Sequence, residues 1–191
     1  DWPTDSLQST DSNAVTFRMT WNSTHLFLGW SGTDWASENE GADLFVYLNT
    51  SEGGSPLSKD WNLAQTLPFA ADHAFVLEDN TYSSLQTYGG TGWVDSTSSS
   101  SEWIGWSGNQ NTEIAIPWGG IDSPENIGVI AWAQWQDAGN VWTAFPVENP
   151  DGRIQDQGWN PAQGQNQSRW IEECKPPYVG GGIADGTRRG K

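Results

Sequence analysis

The 191-residue chain has one cysteine, Cys174, so no internal disulfide can form and the fold must be held by burial and hydrogen bonding. Basic residues are scarce: 8 Lys and Arg stand against 24 Asp and Glu, and the resulting formal charge of −16 repels nucleic acid and anionic lipid. Neither is expected as a partner. The acids are scattered, which fits a solvated surface and not a disordered acidic tail. Histidine is limited to His25 and His73, and the sequence carries no GxSxG, HExxH or Gly-rich phosphate loop. Nothing therefore marks the chain as an enzyme. No apolar run approaches the ~20 residues that span a bilayer as a helix, so membrane insertion by that route is not expected. Convincing amphipathic helices are missing too.

What is present in excess is tryptophan, 14 residues, with 22 glycines and many Ser, Thr and Asn, while charged residues make up only 17%. That balance suggests a secreted or cell-surface β protein. Three sequons, at Asn22, Asn49 and Asn166, agree with it as candidate glycosylation sites. A chain beginning at Asp1 without Met fits a mature form from which a leader has been removed. In such a setting Cys174 is either an inert buried thiol or one half of an intermolecular disulfide.

Periodicity gives the fold class. Val15, Phe17, Met19 and Trp21 alternate with Thr16, Arg18 and Thr20, the period of a half-buried strand. Asn22-Ser23-Thr24 then turns the chain into a second strand with Leu26, Leu28 and Trp30 on one side. The pattern returns at 41–49 and in shorter segments at 74–77, 82–88, 92–95, 102–106 and 112–116. Pro117 is expected to end the last of these, because proline cannot donate to a ladder. Residues 50–68 read as a long connection and 96–101 as a solvated loop. About ten short strands at this spacing predict an all-β antiparallel sandwich of jelly-roll or immunoglobulin-like layers. A single domain is expected over 1–175, followed by a Gly-rich tail over 176–191.

The stretch 127–146, IGVIAWAQWQDAGNVWTAFP, reads as a hairpin turned by Asp137 to Asn140. That turn would pair Trp135 with Trp142, Gln134 with Thr143, Ala133 with Ala144 and Trp132 with Phe145. One face is then apolar and core-like. The other carries Trp132 and Phe145 beside Gln134 and Thr143, the ingredients of an aromatic platform edged by hydrogen-bonding groups. A further phrase, Gly29-Trp30-Ser31-Gly32, recurs as Gly105-Trp106-Ser107-Gly108, each time closing a strand.

The succession TWNSTHLFLGWSG, GADLFVYLNTSEGG, TEIAIPW and the 127–146 hairpin resembles the DOMON-like superfamily. The closest look is to family 9 carbohydrate-binding modules and glucodextranase C-terminal domains. The resemblance covers roughly residues 1–150 and lies in the order of strands and turns. It implies a non-catalytic β-sandwich, often stabilised by calcium, that holds sugars between aromatic rings in some members and haem in others. Asn49 stands where that family usually has an Asp before Thr, which weakens a calcium ligand there. A haem would need an axial ligand, for which only Met19, His25 and His73 are on offer.

From the residues themselves, candidate sugar contacts are Trp132, Gln134, Phe145, Trp142 and Asn140, with Trp35 and Trp61 in loops. A sandwich core of this size does not need fourteen tryptophans, so several are expected at a recognition surface. Candidate calcium ligands are Asp34, Glu38, Glu40 and Asp43, close in sequence, with Asp60 able to fold toward them. The second function class is a subunit of an extracellular filament or surface layer. Copies would exchange a strand or tail, with Tyr178, Val179 and Ile183 filling alternate pockets or the lead-in segment adding to a sheet edge.

Overall fold

The computed structural model describes residues 2, 7–10, 14–32, 42–59, 66–78, 82–98, 104–106, 111–135, 141–145 and 171–174. These form fourteen strands and one 3-10 turn, with no α-helix among the described residues. The first sheet, ordered β1-β2-β3-β11-β10, contains Leu7–Thr10, Thr16–Trp21, His25–Ser31, Asn111–Pro117 and Ile104–Trp106. The second runs β13-β12-β4-β7-β8-β9, through Val141–Phe145, Asn126–Trp135, Ala42–Asn49, His73–Leu77, Ser83–Tyr88 and Trp93–Ser98. β14, Ile171–Cys174, pairs with the first half of β12, on the same side as β13. Every pairing in both sheets is antiparallel.

The sandwich predicted from periodicity is the observed fold. Its first hairpin closes where expected: Asn22 Oδ1 accepts from the Thr24 and His25 amides and from Thr24 Oγ1 at 2.8, 2.9 and 2.9 Å. An Asn side chain replaces the missing backbone acceptors of the turn, which is why this residue type starts it. Asn22 is therefore exposed but already engaged as an acceptor. Pro117 ends β11, as its missing N–H requires. The Gly-Trp starts of the repeated phrases are matched in register, because Gly29 and Gly105 both lie across from Glu113 and Trp30 and Trp106 across from Thr112, on opposite sides of β11.

Two cores result. Between the sheets, Phe17, Met19, Leu28 and Trp30 meet Leu44, Val46, Phe75 and Val129. On the far side of the second sheet a separate cluster gathers Phe45, Tyr47, Val76, Ile130, Trp132 and Ala144. The alternation in β4 thus does not divide core from solvent. Leu44, Val46 and Leu48 enter one apolar cluster and Phe45 and Tyr47 the other, so Asp43 to Leu48 are all buried.

Part of the outer cover is a short ribbon that periodicity missed: β5, Ser55–Leu57, lies inside the segment read as a connection, and β6, Thr66–Ala71, starts in it. Leu67 and Ala71 contribute to the outer core. Gly54, just before β5, has φ +89, and a β-carbon there would overlap the Ala71 carbonyl. Only glycine meets both demands. β1 and β14 also fall where no strand was expected, and β9 continues through Ser98 into the serine run.

The 127–146 hairpin is correct in kind and wrong in register. Observed partners are Trp132 with Ala144, Ala131 with Phe145 and Ala133 with Thr143, with a bulge between Ala133 and Gln134. The extra residue shifts every pair beyond it and moves Phe145 to the opposite face. Phe145 stacks on Phe17 in the inter-sheet core at 5.1 Å, while Trp132 belongs to the outer core.

Candidate functional site

The outer face of the second sheet ends, over β8 and β9, in half-exposed aromatic rings. The register places Ile130, Tyr47, Ala74, Gln86 and Asp95 in one row across five strands. Tyr88 and Trp93 face each other two positions on, in the next pair on the same face, at the hairpin end. The buried end of this face is closely packed: Trp132 stacks on Tyr47 at 4.9 Å and Phe45 lies 6.0 Å from Trp132. Tyr47 then meets Trp93 edge-on at 5.5 Å, and Trp93 meets Tyr88 edge-on at 5.6 Å. A continuous aromatic row thus leads from a fully buried end to a partly exposed one.

The β8–β9 turn fixes the exposed end. Gly89 N donates to the Gly92 carbonyl at 2.8 Å, Gly90 takes φ +87, and Tyr88 Oη donates to the Gly90 carbonyl at 3.0 Å. Tyr88 thereby ties its own ring to the turn beside Trp93. Behind it, the Tyr88 amide donates to the Asp72 carbonyl at 2.9 Å. Asp72, itself buried, accepts from Thr50 N, Thr50 Oγ1 and Ser51 Oγ at 2.8, 2.6 and 2.7 Å. Both its oxygens are engaged in holding the turn after β4.

Polar groups border the rings. Asp95 Oδ1 accepts from Ser84 Oγ at 2.8 Å and from Gln86 Nε2 at 2.7 Å, and Gln86 Oε1 accepts from Lys59 Nζ at 3.2 Å. The amide of Gln86 is oriented from both ends by these bonds. Asp95 Oδ2 enters no hydrogen bond among the described residues, and Asp95 is exposed. Lys59 N donates to Tyr47 Oη at 2.7 Å, so the lysine is fastened by backbone as well as side chain.

Burial governs the titration of these groups. Desolvation pushes the Tyr47 phenol far above its ordinary value of 10.0, against smaller opposing hydrogen bonds from Lys59 and Ser58. Desolvation also raises Tyr82, helped by the nearby Asp95 charge. It lowers Lys59 from 10.5, with Asp95 opposing. The unfolded chain therefore releases the two tyrosine protons first as pH rises past 10.0, and stability is expected to fall from there upward. Lys59 acts oppositely, relieving a burden between its lowered value and 10.5, but it is partly exposed and its contribution is smaller. Urea midpoints measured from pH 8 to 12 should decline beyond pH 10; a flat profile would contradict the buried phenol of Tyr47.

Of the expected sugar contacts, Trp132 and Phe145 are each 1% exposed, and Thr143 beside them is buried. A platform built on Trp132 and Phe145 is therefore not what the strands form: the two rings point to different cores, and neither faces solvent. Gln134 and Trp142 lie on β12 and β13, where only the backbone is described. Asn140, Trp35 and Trp61 lie outside the described residues, as do Asp34, Glu38, Glu40, Asp60, Asn166, Tyr178, Val179 and Ile183. Asp43, expected as a calcium ligand, is 3% exposed within β4. Among the described residues no three His, Cys, Asp or Glu side chains come together as a metal site. Asn49 donates through Nδ2 to the Ala70 carbonyl at 2.9 Å. Met19 is sealed in the core, and His73 lies buried with Nδ1 3.3 Å from Thr87 Oγ1. His73 Nε2 lies 3.3 Å from Asp122 Oδ2, but off the geometry of a hydrogen bond.

The site's own signal in the sequence is Tyr88-Gly89-Gly90-Thr91-Gly92-Trp93, two aromatics flanking a Gly-rich turn. Compared with protein-family models, with curated proteins and with solved structures, the chain matches none.

Proposed function

We propose that the protein is a non-catalytic, secreted β-sandwich that binds carbohydrate on the outer face of its second sheet, against Tyr88 and Trp93. The observation that carries this reading is the half-exposed, hydrogen-bond-fixed Tyr88–Trp93 pair bordered by Asp95 and Lys59, which the buried Gln86 links. Sugar rings present C–H patches that pack on aromatic faces, while their hydroxyls seek amide, carboxylate and ammonium groups. A sheet built this way is rigid, so little entropy is lost when ligand docks. The likeness in strand order to DOMON-like modules belongs to this proposal, and so does calcium support from the acidic residues of 34–40.

A glycan array tests it. Wild-type protein should bind a defined set of glycans, and Trp93→Ala should weaken that binding at least about tenfold, with a stability cost of only about 1–2 kcal/mol. Failure of the wild-type chain to bind any glycan would retire the reading.

A further inference from the structure

The segment before β2 is held to the body in an unusual way. Trp2 lies against Gly29 on the outer face of the first sheet, where a β-carbon would overlap its six-membered ring. Its indole Nε1 donates to Glu113 Oε1 at 2.6 Å, a short, charge-assisted bond. A glycine inside a strand weakens the strand unless something must approach closely there. The register sets Arg18 on one side of Gly29 and Glu113 on the other, so the three strands shape a slot for one ring. β1 adds four backbone pairs along the edge of β2, from Leu7 with Met19 to Thr10 with Thr16.

Only residues 11–15 join this arm to β2. Within them Ala14 is held at φ +62, a left-handed conformation that an alanine disfavours roughly fivefold or more. Gly32, at φ +99, makes room for it: a β-carbon there would lie 2.6 Å from the Ala14 carbonyl. The connection is five residues in sequence with a strained backbone at Ala14, and the docking surface of Trp2 and β1 belongs wholly to the rest of the fold. Short strained hinges favour exchange of the element they carry, because every docking contact is kept while the strain is released.

We propose that the arm of residues 2–10 exchanges between copies, with Trp2 of one molecule filling the Gly29/Glu113 slot of another and β1 pairing with that molecule's β2. The partner is a second copy of this chain. The closed arm works at an effective concentration on the order of millimolar, so monomer dominates in dilute solution and the exchanged form accumulates as copies are concentrated. This proposal is independent of the carbohydrate site, which lies on the other sheet.

Two sets of full-length variants test it, by sedimentation at matched concentrations. In Ala14→Gly the strain is gone and the dimer constant should weaken about 25-fold, roughly fivefold for each of the two hinges the exchange opens; in Ala14→Pro the fixed negative φ forces the hinge open and dimer should increase. In the second set, Gly29→Leu cannot receive Trp2, and Trp2→Ala has no ring to donate. Each alone should stay monomeric, while an equimolar mixture should form heterodimer. A mixture that remains two monomers would overturn the proposal. So would a dimer constant in Ala14→Gly equal to that of the wild type, a comparison that stands even where Gly29→Leu fails to fold.

Discussion

Replacing Trp132 by alanine is expected to cost about 3–5 kcal/mol of stability, a large share of what a domain of this size has. The ring is 1% exposed and stacked on Tyr47, with Phe45 on its flank and Ala144 across the strand pair. Its removal leaves a cavity that β12 cannot close, because β12 is pinned on both sides by β4 and by β13 and β14. The loss would reach Trp93 as well, since Tyr47 is the ring that carries packing from Trp132 to Trp93. Any loss of ligand binding in this variant would thus follow from loss of fold. Chemical denaturation of the purified variant gives the number; a cost under 1 kcal/mol would show that the outer face is not a packed core.

The second large effect is expected from Asp72→Ala, at about 2–4 kcal/mol. Three donors from Thr50 and Ser51 converge on this buried carboxylate, and its backbone joins β4 to β8 through Leu48 and Tyr88. Without the carboxylate the donors of the turn after β4 lose a charged acceptor, and hydrogen bonds to charged groups are worth more than neutral ones. The backbone bond to Tyr88 remains in place but loses its rigid support. Asp72→Asn keeps the shape and should recover part of the loss. Equal unfolding midpoints for wild type and Asp72→Ala would contradict this role.

The sandwich was legible in the sequence because most strands carry a period-two pattern. Val15 to Trp21 and Leu26 to Trp30 obey it, and Asn22 announces the turn. β4 was legible as a strand but not as a doubly buried one, since Phe45 and Tyr47 facing a second core read the same as aromatics facing solvent. The β5–β6 ribbon was hidden because Pro56 and Pro68 sit inside its strands, and a short two-stranded ribbon tolerates proline on its unpaired side. The register of the 127–146 hairpin was lost in two places: Gln134, not Gln136, lies opposite Val141, and one bulged residue then shifts the remaining pairs, and no pattern in the sequence marks either. That error placed the proposed platform on Trp132 and Phe145. The pair now proposed needed long-range information: β8 and β9 are local, but Tyr47 and Lys59 reach Trp93 and Gln86 only through the folded sheet.

The most direct test of the carbohydrate reading is an NMR titration of isotopically labelled protein with an oligosaccharide chosen from the array. Binding at the outer face predicts that the Trp93 indole N–H and the Tyr88 ring signals move to saturation, while the Trp132 and Trp30 indoles stay fixed in their cores. Saturable binding that leaves Trp93 and Tyr88 unmoved would place the ligand elsewhere and contradict the account.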